Sequence, residues 1–236
     1  MSEDLVMNQL QIQTTQLFAP AHTLAWPYLA KTTYPWEILG DLKKIILHIG
    51  EQLDPADYHQ PSEEVWIANT AQVSPTASIA PPAIIGARTH VRHGALIRGG
   101  VLVGDDCVVG NSVELKNCVL FDRVQVPHFN YVGDSILGYK AHLGAGAVTS
   151  NVKSDRSLVC VKGEGLCLQT GLFKLGAMLG DGVEVGCNAV LTPGCVVGQK
   201  SMVYPTTLVR GVIPPRHILK AGRGVVLCPM ESTNRP

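Results

Sequence analysis

Aromatic residues are scarce in this chain of 236 residues, at 6%, and its formal net charge is zero, with 19 basic residues against 19 acidic ones. A neutral balance supplies no general attraction toward nucleic acid or an anionic membrane surface, so neither is expected as a partner. No stretch approaches the roughly 18 consecutive apolar residues of a membrane-spanning helix. The opening MSEDLVMNQ begins with acidic residues where a secretory leader would carry an apolar core. Seven cysteines, an odd number without a CxxC pair, argue against both a disulfide framework and a zinc knuckle. These features describe a protein of the reduced cytoplasm, with Cys107 and Cys195 as core filler. What is abundant is different: 46% hydrophobic residues and 24 glycines, which do not suit a disordered chain.

The hydrophobic residues are ordered. Ile67, Val73, Ile79, Ile85, Val91, Ile97, Val103 and Val109 recur at every sixth position, and Leu115 and Phe121 extend the series. Four places after each stands a small or β-branched residue: Ala71, Ala77, Ala83, Thr89, Ala95, Val101, Cys107 and Val113. A period of six fits neither an amphipathic helix nor a simple alternating strand. It fits a parallel β-helix of triangular section, in which each hexad forms one face and three faces, roughly 18 residues, close a coil. No single coil can bury its inner face, so stability comes from stacked neighbours.

The expected fold class is therefore all-β, a parallel β-helix of hexapeptide repeats with a short helical N-terminal cap. Residues 1–64 lack the period and form the cap. Within them Ile38, Leu39, Leu42, Ile45, Ile46 and Ile49 recur at helical spacing, and the segment is expected to cover the open end of the coils. The coils span 65–213, and Pro214-Pro215 ends them, leaving 214–236 as a tail. Two interruptions fall inside. Near 115–137 the register slips, Leu137 lying 16 residues past Phe121, which calls for a bulge. Near 150–171, SLVCV, KGEG and LCLQT read as a projecting hairpin. In repeat proteins insertions collect on functional faces.

Polar chemistry is densest in GNSVELKN (110–117) and VPHFNYVGDSILGYKAHLGAGA (126–147). His128 follows a proline at the register slip. A neutral imidazole suits general-base work, and Glu114 is a candidate to orient it. Arg98 lies one full coil before Lys116, so the two cations stack about 4.8 Å apart on one face. Such cations repel each other, and a phosphate would resolve the repulsion. His90, His93, His128 and His142 raise a three-histidine metal site of the γ carbonic anhydrase type, but the HxxxxH spacing is missing and no metal is expected.

VGNSVELKN, HFNYVGDSILG and HLGAGAVTSN resemble the left-handed β-helix acetyltransferase domain of the bifunctional bacterial enzyme that acetylates glucosamine 1-phosphate and then uridylylates it. The resemblance covers about 65–213. It implies a left-handed coil and a homotrimer with each site between subunits. It also implies transfer of acetyl from the co-substrate acetyl-CoA to the amino group of a sugar phosphate or a nucleotide-linked amino sugar. Mapped onto matching positions, it makes His128 the base and Glu114 its support, with Arg98 and Lys116 as the phosphate clamp. Tyr131, Asp134, His142 and Asn151 become candidate substrate contacts, and Ala145 and Gly146 receive the acetyl thioester. Lys174 and Lys200, with Arg210 and Lys220 behind them, are candidates for the CoA phosphates. His142 stands where the family has asparagine, and Ser157 stands near the place of a family lysine, close to Lys153 and Arg156. Residues 1–64 contain no LxAGxGTRM loop, so uridylyl transfer, as in a UDP-N-acetylglucosamine pyrophosphorylase, has no motif here. The rival from another class is a non-catalytic sugar-nucleotide binding or scaffold trimer.

Overall fold

The structure, a computed structural model, describes residues 11–221 and 225–229; the acidic opening and the parts of the tail at 222–224 and 230–236 lie outside the described residues. From Val65 onward the chain winds in parallel coils whose strands stack on three faces. On the first face Val65 pairs with Ala83, Ala83 with Val101, Val101 with Cys118, Cys118 with Ser135, and Ala177 with Cys195. On the second, Gln72, His90, Val108, Gln125, His142, Glu184 and Met202 follow one another. The third face carries Ser78, Leu96, Glu114, Tyr131, Val148, Val190 and Leu208. This is the hexapeptide-repeat β-helix expected from the period, with the hexad residues Ile85, Ile97, Val109 and Leu115 fully buried inside.

The register slip is a deletion rather than a bulge. Leu96 pairs with Glu114, 18 residues on, but Glu114 pairs with Tyr131 and Cys118 with Ser135, only 17 residues on. The missing residue comes from the corner between the third and first faces. There Gly99-Gly100 of the earlier coil gives way to single corner residues, Asn117 and Asp134, both at positive φ (48° and 49°). The strands Glu114–Leu120 and Tyr131–Leu137 consequently run unbroken round that corner. One coil later the insertion leaves the same corner. Cys160–Gly163 and Leu166–Gln169 form the expected antiparallel hairpin, with Val159, Val161 and Leu166 buried against the later coils.

The amino-terminal segment covers the open end only with its last strand, Tyr58–Ser62, which pairs antiparallel with Val65–Ala68 of the first coil, and the rest of it lies along the side of the coils. Its helix Leu42–Gly50 packs on the first-face strands of the early coils, its 3-10 turn Pro35–Ile38 on Tyr131–Leu137, and Leu17 reaches Asp181. The reason lies in the outward positions of the first face. Ile84, Leu102, Val119, Ile136, Met178 and Val196 are all apolar and at most 1% exposed. Burying such side chains is worth roughly 1.5–3 kcal/mol each, which a polar outer face would forgo. The arm and the hairpin cover this face between them. Phe18 packs against Phe121 at 4.9 Å, and His22 stacks on Tyr139 at 3.8 Å. The ladder also continues beyond Pro214-Pro215, since Met202 pairs with Ile218 and His217–Ala221 pairs antiparallel with Val225–Pro229. No helix among the described residues is long and apolar enough to cross a membrane.

Asp181 ties the arm to the coils. Its carboxylate accepts the Ala19 N–H at 2.7 Å and the Tyr139 N–H at 2.8 Å, and its own N–H donates to the Leu17 carbonyl at 3.0 Å. Burial pushes its carboxyl upward from the ordinary value, and the two backbone donors oppose that shift. Asparagine offers one acceptor where two are used. Asp181→Asn should therefore cost about 1–3 kcal/mol and raise amide exchange over 17–22 well before the coils open. Unchanged exchange there would remove the latch role.

Candidate functional site

The third face and its corner with the first bring together most of the polar residues singled out above. Ile97 pairs with Leu115, and the Arg98 N–H donates to the Leu115 carbonyl at 2.8 Å, so Arg98 does stack on Lys116. Their side chains diverge. Arg98 Nη1 donates to Glu114 Oε1 at 2.7 Å, and Lys116 Nζ lies 3.7 Å from Asp134 Oδ2. Two carboxylates, not an anion from outside, relieve the repulsion between the cations. The hydrogen bond and charge of Glu114 hold the Arg98 guanidinium above its ordinary range. That pair is half open to solvent, so exchanging Glu114 for another anion costs little.

Asp134 is the best held of these groups. It is 5% exposed, and its carboxylate accepts Asn117 Nδ2 at 2.8 Å and Asn151 Nδ2 at 2.5 Å. Asn151 also donates to the Tyr131 hydroxyl at 3.1 Å. Burial, then the Asp134 charge, pushes the Tyr131 phenol upward, so it stays a neutral donor and acceptor. Asn117 went unnoticed as a site residue in the sequence, and the signal was its position in the shortened corner. It holds Asp134 and donates to the Leu39 carbonyl of the arm at 3.3 Å.

His128 ends the strand Gln125–His128 of the second face, where the chain turns toward the third. It is exposed, and its ring has no hydrogen bond among the described residues. The expectation that Glu114 orients it is replaced: Glu114 sits on the third face and is taken by Arg98. What fixes His128 is its backbone. Its N–H donates to Asn130 Oδ1 at 3.1 Å, and its carbonyl accepts the Gly146 N–H at 3.1 Å. Asn130, 2% exposed, donates to the Gly144 carbonyl at 2.8 Å and to that of Ala147 at 3.0 Å. His128 and the GAG segment are thus stacked corners of successive coils tied to each other, a link carried by an asparagine whose role the sequence did not reveal. Gly146 has φ 73°, and a Cβ there would stand 2.1 Å from Asn188 Oδ1, so the turn excludes other residues.

The remaining candidates scatter. His142 lies on the second face, its Nδ1 2.8 Å from Glu184 Oε2. His93 is hydrogen-bonded to Thr76, so the four histidines do not converge. Lys200 is an exposed corner residue donating its N–H to Asp181, and Lys220 lies over the Tyr204 ring at 5.3 Å. Lys174 lines a pocket beside the arm, far in sequence from the GAG turn. Arg210 instead joins Lys153 and Lys162 along an 810 Å³ cleft between the hairpin and the coils, floored by Val190, Thr192 and Val212. Lys153 Nζ donates to the Ser157 hydroxyl, so a lysine amine does reach the place where the family pattern sets its lysine.

A family profile described as "GMPPB C-terminal domain" matches residues 82–179. The bifunctional sugar-1-phosphate nucleotidylyltransferase/acetyltransferase of Sulfurisphaera tokodaii is 36% identical over 98 residues, 42% of this chain and 24% of that protein. The similarity is confined to the central coils of this chain. The bifunctional protein GlmU of Methanococcus maripaludis is 34% identical over 99 residues, again 42% of this chain and 24% of the other. The chain thus spans about a quarter of the length of these curated relatives. Among solved structures, AntD, an N-acyltransferase from Bacillus cereus in complex with dTDP and coenzyme A, superposes at a TM-score of 0.35 with 16% identity, over 75% of this chain and 92% of that one. Superposition at that level adds nothing to the fold already read from the pairing register.

The Asn130 link has a direct consequence. Asn130→Ala removes three hydrogen bonds, two of them buried, should cost roughly 2 kcal/mol, and should expose the Gly146 amide to rapid exchange. A Gly146 amide as protected as before would show that the turn does not depend on Asn130.

Proposed function

We propose that this protein is an acyl-CoA-dependent N-acetyltransferase acting on an amino-sugar phosphate or a nucleotide-linked amino sugar. The observation that carries the reading is the placement of the His128–Gly146 link at the edge of the face that presents Arg98, Lys116 and Tyr131. Relatives over the coils whose printed names couple sugar-1-phosphate chemistry to acetyl transfer support it.

In this reading the sugar lies across the third face. Its phosphate takes the place of Glu114 on Arg98 and is shared with Lys116, a fork and a point charge on one anion. Tyr131, steadied by Asn151, and Asp134 contact the ring hydroxyls. The amino group points to the corner, where the His128 imidazole takes up the proton shed as nitrogen bonds to the thioester carbon. The carbon–sulfur bond breaks, CoA leaves the acetyl carbon as the thiolate, and the imidazolium returns the proton to it. The backbone N–H of Ala145 receives the acetyl group, beside a Gly146 whose own N–H is held by the His128 carbonyl and whose bare backbone admits close approach. The phosphates of acetyl-CoA fall to Lys153, Lys162 and Arg210 in the cleft rather than to Lys174 and Lys200. Assembly is a homotrimer with sites between subunits, for which Leu96, Val190 and Leu208, each 37–43% exposed on the third face, offer apolar contact. The chemistry calls for no metal.

One observation favours a second reading. The His128 ring has no orienting partner among the described residues, which suits a sugar-nucleotide binding or scaffold trimer that performs no transfer.

The two readings separate cleanly. His128→Ala should lower kcat/KM for acetylation by about 10²–10⁴ while leaving assembly and sugar-phosphate binding intact, and wild-type turnover would refute the base. Arg98→Ala should raise the sugar-phosphate KM about tenfold with a smaller change in kcat, because clamp binding is mostly uniform. A fall in kcat alone would place Arg98 outside the clamp.

A further inference from the structure

The amino-terminal arm does more than cover the first face. Where it crosses the shortened corner it borders an open pocket of 480 Å³ whose charged lining is Lys43, Lys44, Lys174, Asp41 and Asp134. The three lysines come from two distant stretches of chain, the arm and the segment after the hairpin, neither of which the hexapeptide coils require. Three lysines against two carboxylates leave the pocket with an excess of positive charge, which raises the local concentration of anions. The opposing charges are few and mostly committed. Asp41 accepts Lys44 at 2.7 Å, and Asp134 is occupied by Asn117, Asn151 and Lys116. Among the described residues Lys43 and Lys174 have no ion pair. All three lysines are exposed at the mouth of the pocket, and the Lys43 Cγ passes over the Gly100 corner, 3.4 Å from where a Cβ would stand.

We propose that this pocket is a second anion seat, built by the arm and the hairpin's return, which takes a phosphoryl group beyond the one held by Arg98 and Lys116. The two seats are contiguous through Asn117 and Asp134. A substrate with a single phosphate would fill one of them. A nucleoside diphosphate-linked amino sugar would fill both, its two phosphoryl groups spanning the corner. The inference rests on the acetyltransferase reading only for which molecule brings the anions. The seat itself follows from the lysines.

The test measures binding without turnover, so it does not depend on acetyl transfer. Isothermal titration of the full chain with inorganic pyrophosphate, glucosamine 1-phosphate and a uridine diphosphate-linked amino sugar is compared for wild type, Lys43→Ala/Lys174→Ala, Lys43→Arg/Lys174→Arg and Arg98→Ala. Losing a charged hydrogen-bond partner is worth about tenfold or more in affinity. The alanine pair should weaken pyrophosphate and the diphosphate-linked sugar by about that factor and leave glucosamine 1-phosphate within about twofold. The arginine pair should restore both, which excludes a general loss of folding. Wild-type pyrophosphate affinity in the alanine pair overturns the proposal. So does equal weakening of all three ligands, which would mean one seat. If Arg98→Ala abolishes acetyl transfer but spares pyrophosphate binding, the seat stands on its own. If the alanine pair loses pyrophosphate while no variant or wild type transfers acetyl, the seat survives and the acetyltransferase reading fails.

Discussion

The Asp134 carboxylate is the junction on which the candidate site depends. A buried carboxylate needs donors or it is driven to its neutral form, and here Asn117 and Asn151 donate to it while the Lys116 ammonium lies 3.7 Å away. Lys116 and Asn117 are neighbours on one strand, and Asn151 comes from a later coil. Asn117 sits on the preceding coil and carries the arm through Leu39, Asn151 stands where the insertion leaves the coils, and Lys116 is half of the cation stack. The corner can hold Asp134 there only because the coils at Glu114–Leu120 and Tyr131–Leu137 are one residue short. The loss of one residue thus sets both the shape of the corner and the chemistry gathered on it.

That arrangement changes how an anion would be bound. Stacked cations with nothing between them would store repulsion, whereas Arg98 and Lys116 each rest against a carboxylate. Glu114 is the exchangeable partner, solvent-exposed and held by one arginine. Asp134 is fixed, buried and held by three groups. In the proposed reading an incoming phosphate competes with Glu114 and leaves Asp134 in place. Such a site discriminates by displacement, and it favours ligands that bring more charge than one carboxylate offers.

Much of this was legible in the residues. The hexads gave the coils because the inward ladder repeats with every turn, and the same ruler put Arg98 over Lys116. The register slip was visible near 115–137, but a phase change cannot tell an added residue from a missing one until the partners are paired. The helical spacing through Ile45 and Ile49 announced one buried face without saying what it lay on. The answer was written elsewhere, in the apolar triplets AII, VLV and CVV, whose middle residues Ile84, Leu102 and Val196 face outward and need a cover. Glu114 was within reach of two partners by sequence, and the tighter one, Arg98, won because it stacks on the same face. Asn130 and Asn117 gave no sign because an asparagine's value lies in which carbonyls it reaches, and these belong to other coils.

In the proposed reading this face and its corner carry out acetyl transfer to the amine of a phosphorylated sugar. Release of free CoA thiol from acetyl-CoA by the wild-type protein, followed across a panel of amino sugars bearing no phosphate, one phosphate or a nucleoside diphosphate, tests it most directly. The expected result is release that requires both the primary amine and a phosphoryl group, with N-acetylated product in equal amount. Binding of those sugars with no thiol released over hours would contradict it.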